Sequence, residues 1–196
     1  MTPDDMVRAA DALIEARKTK GARLFVAIDG GAGAGKSTLA RGIQELRGAV
    51  SILRTDHFFR PLNEHPIGSL AGEKLYELYF EWQRMRDEAF IPLRRGETAN
   101  YQSYDWSADK LLQWETVEPA GIVLVEGVYS SRPELRSMLD AMIFVDAPRE
   151  ERLRRIKARN PNESSNWLIP WLKAENYYLN QIRPQSTADL LLASAE

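Results

Sequence analysis

The run Leu24-Phe25-Val26-Ala27-Ile28 passes through Asp29 into Gly30-Gly31-Ala32-Gly33-Ala34-Gly35-Lys36-Ser37, with Thr38 next. An unbroken apolar run of this length marks a strand covered on both faces in a parallel sheet. The glycine-rich octet satisfies G-x-x-x-x-G-K-[ST], and Ser37–Leu46 continues as a helix with Leu39, Ile43 and Leu46 at helical spacing. Strand, loop and helix thus come in the order the motif requires. Glycines let backbone N–H groups turn inward and approach phosphate oxygens with no Cβ in the way. The helix aims the positive end of its dipole at the same oxygens. Lys36 can reach the outer phosphates and the Ser37 hydroxyl can ligate Mg²⁺. The expected nucleotide contacts are Gly30, Gly31, Ala32, Gly33, Ala34, Gly35, Lys36, Ser37 and Thr38.

Outward from this loop the chain alternates strands and helices. Upstream, Thr2 is a plausible N-cap and Pro3 suits the first helical position; Met6, Ala10, Leu13 and Ile14 recur on one face, and Gly21 closes the helix. Downstream, Val50–Leu53, Ile122–Val125, Met142–Val145 and Ala188–Leu192 read as further strands. Leu75, Leu78, Tyr79, Trp82 and Met85 mark an amphipathic helix. Arg132–Leu139 reads as a helix, as does an arginine-dense stretch opened by Pro148, and another from near Ser164 to before Pro184. Arg60 to about Leu70 reads as a loop, and Pro92 to Trp106 as irregular. This order predicts an α/β protein with a mostly parallel five-stranded sheet and helices on both faces.

Bulk properties restrict what such a protein handles. At 196 residues it fits one compact domain, residues 1–196. With 26 Lys+Arg against 28 Asp+Glu the net charge is −2, so a nucleic-acid partner is not expected and any polyanion must be held locally. Cysteine is absent, which excludes disulfides and thiolate metal sites and fits a reducing cytoplasm. No apolar run approaches the ~20 residues that span a bilayer, so no membrane association is expected.

Strand ends supply the remaining chemistry, because ligands of open α/β sheets lie outside the carboxyl ends of the strands. Asp56 and Glu126 therefore face the crevice of the glycine loop. Ile122-Val123-Leu124-Val125-Glu126-Gly127 has the shape of a Walker B strand with Glu in place of Asp, and a carboxylate there can hold Mg²⁺ directly or through water. Asp56 is suited to accept a proton from an attacking hydroxyl, a role worth about 10²- to 10⁴-fold in rate. The absence of an N-K-x-D guanine-reading motif argues against a GTPase. Arg152, Arg155 and Arg159 recur at spacings of three and four, which puts a cationic clamp on one helix face.

With these pieces assembled, the chain resembles the uridine kinase/phosphoribulokinase family from Phe25 to Leu192. The carriers are Gly30–Thr38, Thr55-Asp56-His57-Phe58-Phe59, Tyr104-Asp105, Val125-Glu126-Gly127, Phe144-Val145-Asp146, the Arg152–Arg159 helix and Pro184 with Ala188-Asp189. The resemblance implies a three-layer P-loop NTPase fold with a small lid at about residues 149–165. It implies ATP and Mg²⁺, Asp56 as catalytic base, Lys36 and Arg155 in transfer, and Ser37 with Glu126 as the metal ligands. The lid arginines Arg152, Arg155 and Arg159 would lie over the phosphates. His57, Tyr101, Tyr104 and Asp105 fall where nucleoside kinases recognise their acceptor. The chain departs from the family at Trp106, where a His often follows the Tyr-Asp pair, and at Arg159-Asn160, commonly Arg-Asp. Asp56-His57-Phe58-Phe59-Arg60-Pro61 is also similar to nicotinamide riboside kinases. The expected acceptor is a uridine- or cytidine-type hydroxyl compound. The alternatives are another small metabolite such as nicotinamide riboside or pantothenate, a nucleoside monophosphate, or nucleotide binding without catalysis. A homo-oligomer stays open: Trp167 and Trp171, one turn apart, suit a subunit contact or the core.

Overall fold

The computed structural model describes residues 1–19, 21–61, 69–159 and 168–194. At its centre β1 (Leu24–Asp29) is buried along its whole length between two parallel neighbours, β5 (Ile122–Glu126) and β6 (Ala141–Asp146). β2 (Val50–Arg54) adds to β5 and β7 (Leu190–Ala193) adds to β6, giving the order β2-β5-β1-β6-β7. All five expected strands form one parallel sheet.

Strand alternation divides the core into two layers. Leu24, Val26 and Ile28 of β1, with Ile122 and Leu124 of β5, join Met6, Ala10 and Ile14 of α1 (Pro3–Arg17) and Leu39, Ala40 and Ile43 of α2 (Lys36–Arg47). Phe25, Val123 and Val125 point the other way, toward Leu75 and Tyr76 of α3 (Gly72–Tyr79) and Trp171 of α7 (Leu168–Tyr177). Helices therefore cover both faces. The α1 start is a reciprocal capping box: Thr2 Oγ1 accepts the Asp5 amide at 3.2 Å and the Asp5 carboxylate answers the Thr2 amide at 3.3 Å.

Three expectations needed correction. The helix around Leu75–Met85 is broken at Phe80, which goes extended and bridges Phe59; α4 (Trp82–Met85) then restarts and runs through a π turn, Arg86–Phe90, into α5 (Ile91–Arg95). The expected irregular stretch from Pro92 holds α5, ended by Gly96 at φ +83°, and β3 (Ala99–Asp105), which pairs antiparallel with β4 (Lys110–Val117) in a separate hairpin. Arg132–Leu139 closes successive i→i+3 bonds, Leu135 to Arg132 at 2.9 Å and Met138 to Leu135 at 2.9 Å, and reaches only a 3₁₀ turn, Arg136–Met138. The last helix spans α7 and continues in a π turn, Tyr178–Ile182. Of the expected lid, α6 (Arg149–Arg159) is described, whereas residues 160–165, the helix start near Ser164 and Trp167 lie outside the described residues. Among the described residues no helix is long and apolar enough to cross a membrane.

Candidate active site

The loop between β1 and α2 is held by contacts only glycine permits. Gly30 has φ +142°, and a Cβ there would lie 2.1 Å from the Val145 carbonyl oxygen of β6. Just before it, Asp29 is buried and serves as the loop's footing. Its carboxylate accepts from the Gly30 amide at 2.7 Å, the Ser131 amide at 2.9 Å and the Tyr178 hydroxyl at 2.5 Å. Lys36 is nearly buried and folds its ammonium back onto the Gly31 carbonyl at 2.9 Å.

The carboxyl ends of β5 and β2 meet beside this loop. Glu126 ends β5, is 7% exposed, and accepts from the Ser37 hydroxyl at 3.0 Å. Gly127 follows at φ +139°, where a Cβ would fall 1.8 Å from Thr55 Oγ1, so the Thr55–Phe58 turn after β2 lies tight against the end of β5. That contact sets Asp56 next to Glu126. Asp56 is exposed to the cleft, and the protein packed around it displaces part of the water beside its carboxyl. This dehydration, reinforced by the Glu126 charge and opposed by Lys36, Arg54 and Arg159, pushes its pKa up to about 6. Among the described residues no cluster of three or more His, Asp or Glu gathers round a metal. The hydroxyl and carboxylate of Ser37 and Glu126 are hard oxygen donors in contact, which fits Mg²⁺, an ion that keeps water and phosphate oxygens as its other ligands.

The outer part of the glycine loop, Lys36, the Ser37–Glu126 pair and Asp56 border one cleft of about 1220 Å³ that crosses the carboxyl edge of the sheet. Gly33, Gly35, Lys36, Ser37 and Thr38 form its middle. Toward β2 it is lined by Asp56, Glu126, Val128, Trp106 and Trp171; toward β7 by Ser194 and the first turn of α1, including Pro3 and Met6. Arg154, Arg155 and Arg159 enter from α6.

The structure sorts the sequence-derived residues. Arg155 and Arg159 reach the cleft; Arg155 also donates to the Glu151 carboxylate at 2.6 Å and the Gly33 carbonyl at 3.3 Å. Arg152, on the same face by spacing, lies beneath the loop instead, bonded to Glu175 at 2.6 Å and the Ala32 carbonyl at 3.1 Å. Tyr101 is 1% exposed and packs on Phe58, because alternation along β3 turns it inward. His57 bonds the Tyr101 hydroxyl through Nδ1 at 3.2 Å, and burial lowers its pKa. The Tyr104 hydroxyl donates to Asp109 at 2.7 Å. None of these three borders the cleft. Asp105 does, with one carboxylate oxygen capping the turn through Ser107 and Ala108 amides at 2.9 and 2.8 Å. Trp106 and Trp171, 5.9 Å apart edge to face, are the aromatic groups at this end among the described residues. The signal for Trp106 was its place directly after the Tyr104-Asp105 pair. Trp171 and Glu175 carried none, since their neighbours come from distant segments.

Comparison with known proteins agrees with this geometry. The AAA domain profile matches residues 26–177. A uridine kinase of Halobacterium salinarum is 30% identical over 167 residues, 81% of this chain and 71% of the relative. The chain is an AAA-domain protein of the uridine kinase family of P-loop kinases. A uridine kinase of Clostridium perfringens (strain ATCC 13124) is 28% identical over 170 residues, 82% of this kinase and 78% of the relative. The solved structure of a possible uridine kinase from Bacillus stearothermophilus superposes with a TM-score of 0.74 at 25% identity, covering 96% of this kinase and 98% of that chain. This chain is therefore a nucleotide-binding phosphotransferase that acts on a small molecule.

Proposed function

We propose that this kinase transfers the γ-phosphate of ATP to a hydroxyl of a nucleoside-like small molecule, with a uridine- or cytidine-type acceptor favoured. The observation that carries the reading is the single cleft in which Asp56 stands beside the Ser37–Glu126 pair at the mouth of the glycine loop. The loop amides and Lys36 hold the triphosphate, with its γ end toward β2 and its base toward β7 and the α1 tip. The acceptor lies against the Trp106 and Trp171 pair, its hydroxyl toward Asp56. As the bond from acceptor oxygen to γ-phosphorus forms, the bond to the β–γ bridging oxygen breaks and ADP leaves. The hydroxyl proton passes to Asp56, while Lys36, Arg155 and Arg159 offset the charge on the transferring group. Mg²⁺ held by Ser37 and Glu126 would neutralise charge on the β- and γ-oxygens.

A phosphorylated acceptor would need cations at the β2 end. Among the described residues the cleft's cations are Lys36, Arg41, Arg154, Arg155 and Arg159, all on the loop helix or α6. This favours an unphosphorylated acceptor. A coupled ADP-release assay with uridine, cytidine, nicotinamide riboside and pantothenate tests the proposal, with CMP and UMP as contrasts. ADP release should depend on adding one of the unphosphorylated compounds. Release with CMP or UMP alone would make the chain a monophosphate kinase, and no release with any acceptor would end the kinase mechanism described here.

A further inference from the structure

Among the buried charges that the transfer chemistry leaves unused, two form an ion pair against the nucleotide cradle. Glu175 of α7 has no exposed surface and Arg152 of α6 has 7%. Their ion pair is 2.6 Å long, between Arg152 Nη1 and Glu175 Oε1. The second carboxylate oxygen, Oε2, accepts the Ala32 amide at 2.6 Å, and Nη1 donates to the Ala32 carbonyl at 3.1 Å. One loop residue thus has its N–H and its C=O taken by the two halves of one ion pair. The neighbouring glycines are shaped to it as well. A Cβ on Gly31 would lie 2.2 Å from Arg152 Nη1, and one on Gly33 would lie 2.5 Å from the Arg152 backbone oxygen. Gly33 is therefore required by the close approach of the α6 backbone, and Gly31 leaves room for the Arg152 guanidinium, whatever the phosphates require.

Ionised groups are seldom buried unless they are paired and hydrogen-bonded, and beyond their mutual contact both members of this pair bond the backbone of a single loop residue. We infer that Arg152 and Glu175 are positioning residues that lock the backbone of Ala32. They turn its N–H away from the cleft, so that the amides after it face the phosphates, and they fix α6 at the height that carries Arg155 and Arg159 into the cleft. Helical spacing supports the second part, since residues 152, 155 and 159 follow one another along one face of α6. The inference rests on the nucleotide reading above but assigns to Arg152 a role other than touching phosphate.

The test combines amide exchange on the nucleotide-free protein with steady-state kinetics on Glu175→Gln and on Arg152→Met with Glu175→Gln, the latter leaving no unpaired charge. In the parent the Ala32 amide should be protected. In both variants it should exchange about 10-fold faster or more, as expected for losing a hydrogen bond to a charged group, while Val123–Val125 of β5 stay protected. The nucleotide KM should rise by about the same factor, and the acceptor KM should stay within about twofold. An unprotected Ala32 amide in the parent overturns the inference even if a variant fails to fold. So does unchanged exchange in the variants, loosening that extends through β5, or a parallel rise of both Michaelis constants. Exchange is read without nucleotide or acceptor, so a chain that phosphorylates nothing in the acceptor screen would still reveal whether the pair locks the loop.

Discussion

Asp56 stands where opposed fields meet: dehydration and the Glu126 charge raise its pKa to about 6, against the pull of Lys36, Arg54 and Arg159. A base with that value is ionised at neutral pH and still binds a proton usefully. The rate should therefore fall on the acid side, with kcat/KM dropping about tenfold per pH unit below about 6, as a single essential base requires. A profile flat down to pH 5 would remove Asp56 from the mechanism. Replacing it tests the same residue from the other side. Asp56→Asn should lower kcat by about 100-fold or more with nucleotide affinity little changed, read by single-turnover kinetics and calorimetry. The elevated value also has a stability sign. The folded state holds the proton up to about pH 6, whereas the unfolded chain releases it near 3.8, so the cost to folding builds between those values and is full above pH 6. Asp56→Asn should then melt no lower than the parent at pH 7.5. What could be read here from sequence was what depends on local order: glycine, lysine and serine at fixed spacing, and acids at strand ends. The inward turn of Arg152 was hidden because its partner Glu175 lies 23 positions away. Tyr101 and His57 looked like recognition residues for want of the knowledge that β3 is a strand with an inner face.

At the scale of elements, Asp56 owes its place to α4 and the hairpin as much as to β2. Arg84 of α4 donates to the His57 carbonyl at 2.8 Å and the Gln102 carbonyl at 2.9 Å, and its guanidinium lies 4.6 Å over the Phe58 ring. One side chain thus ties the turn bearing Asp56 to β3. Arg84→Ala should lower kcat by about 10-fold, the cost of one or two hydrogen bonds to a charged donor, while the nucleotide KM moves little because the glycine loop is anchored elsewhere. Equal effects on kcat and nucleotide KM would show a general loosening instead. The five parallel strands were legible because each is a short, mostly apolar run, buried throughout in β1 and β5 and less so in edge strand β7, a signal that needs no knowledge of partners. The β3–β4 hairpin was not. Its second strand is largely exposed and carries Trp114 at 71% exposure, so its sequence lacks a clean inside and outside. The break at Phe80 was equally silent, for no Gly or Pro marks it; a bridge to Phe59 across the fold causes it.

The whole molecule adds direction. The cleft follows the sheet edge from β2 to β7, so under the proposed function the order β2-β5-β1-β6-β7 would be an order of tasks: acceptor, proton and metal sites, phosphate cradle, base. Helix α1 closes the far end because it packs on α2 and its leading turn reaches β7, where the Met1 amine donates to the Ala193 carbonyl at 3.0 Å. Two substitutions at opposite ends should therefore act on different substrates. Trp106→Ala removes a half-exposed ring at the β2 end and should raise the acceptor KM about 10-fold, within the usual value of an aromatic contact. The nucleotide KM should not follow. Met6→Ala trims the wall at the β7 end and should do the reverse, with a loss of stability of about 2–5 kcal/mol because Met6 also belongs to the α1 core. Kinetics would be measured well below the melting temperature, with melting curves recorded for both variants. If each substitution raised both Michaelis constants alike, the two substrates would share one end of the cleft, and the polarity drawn from the strand order would have to be reversed or abandoned.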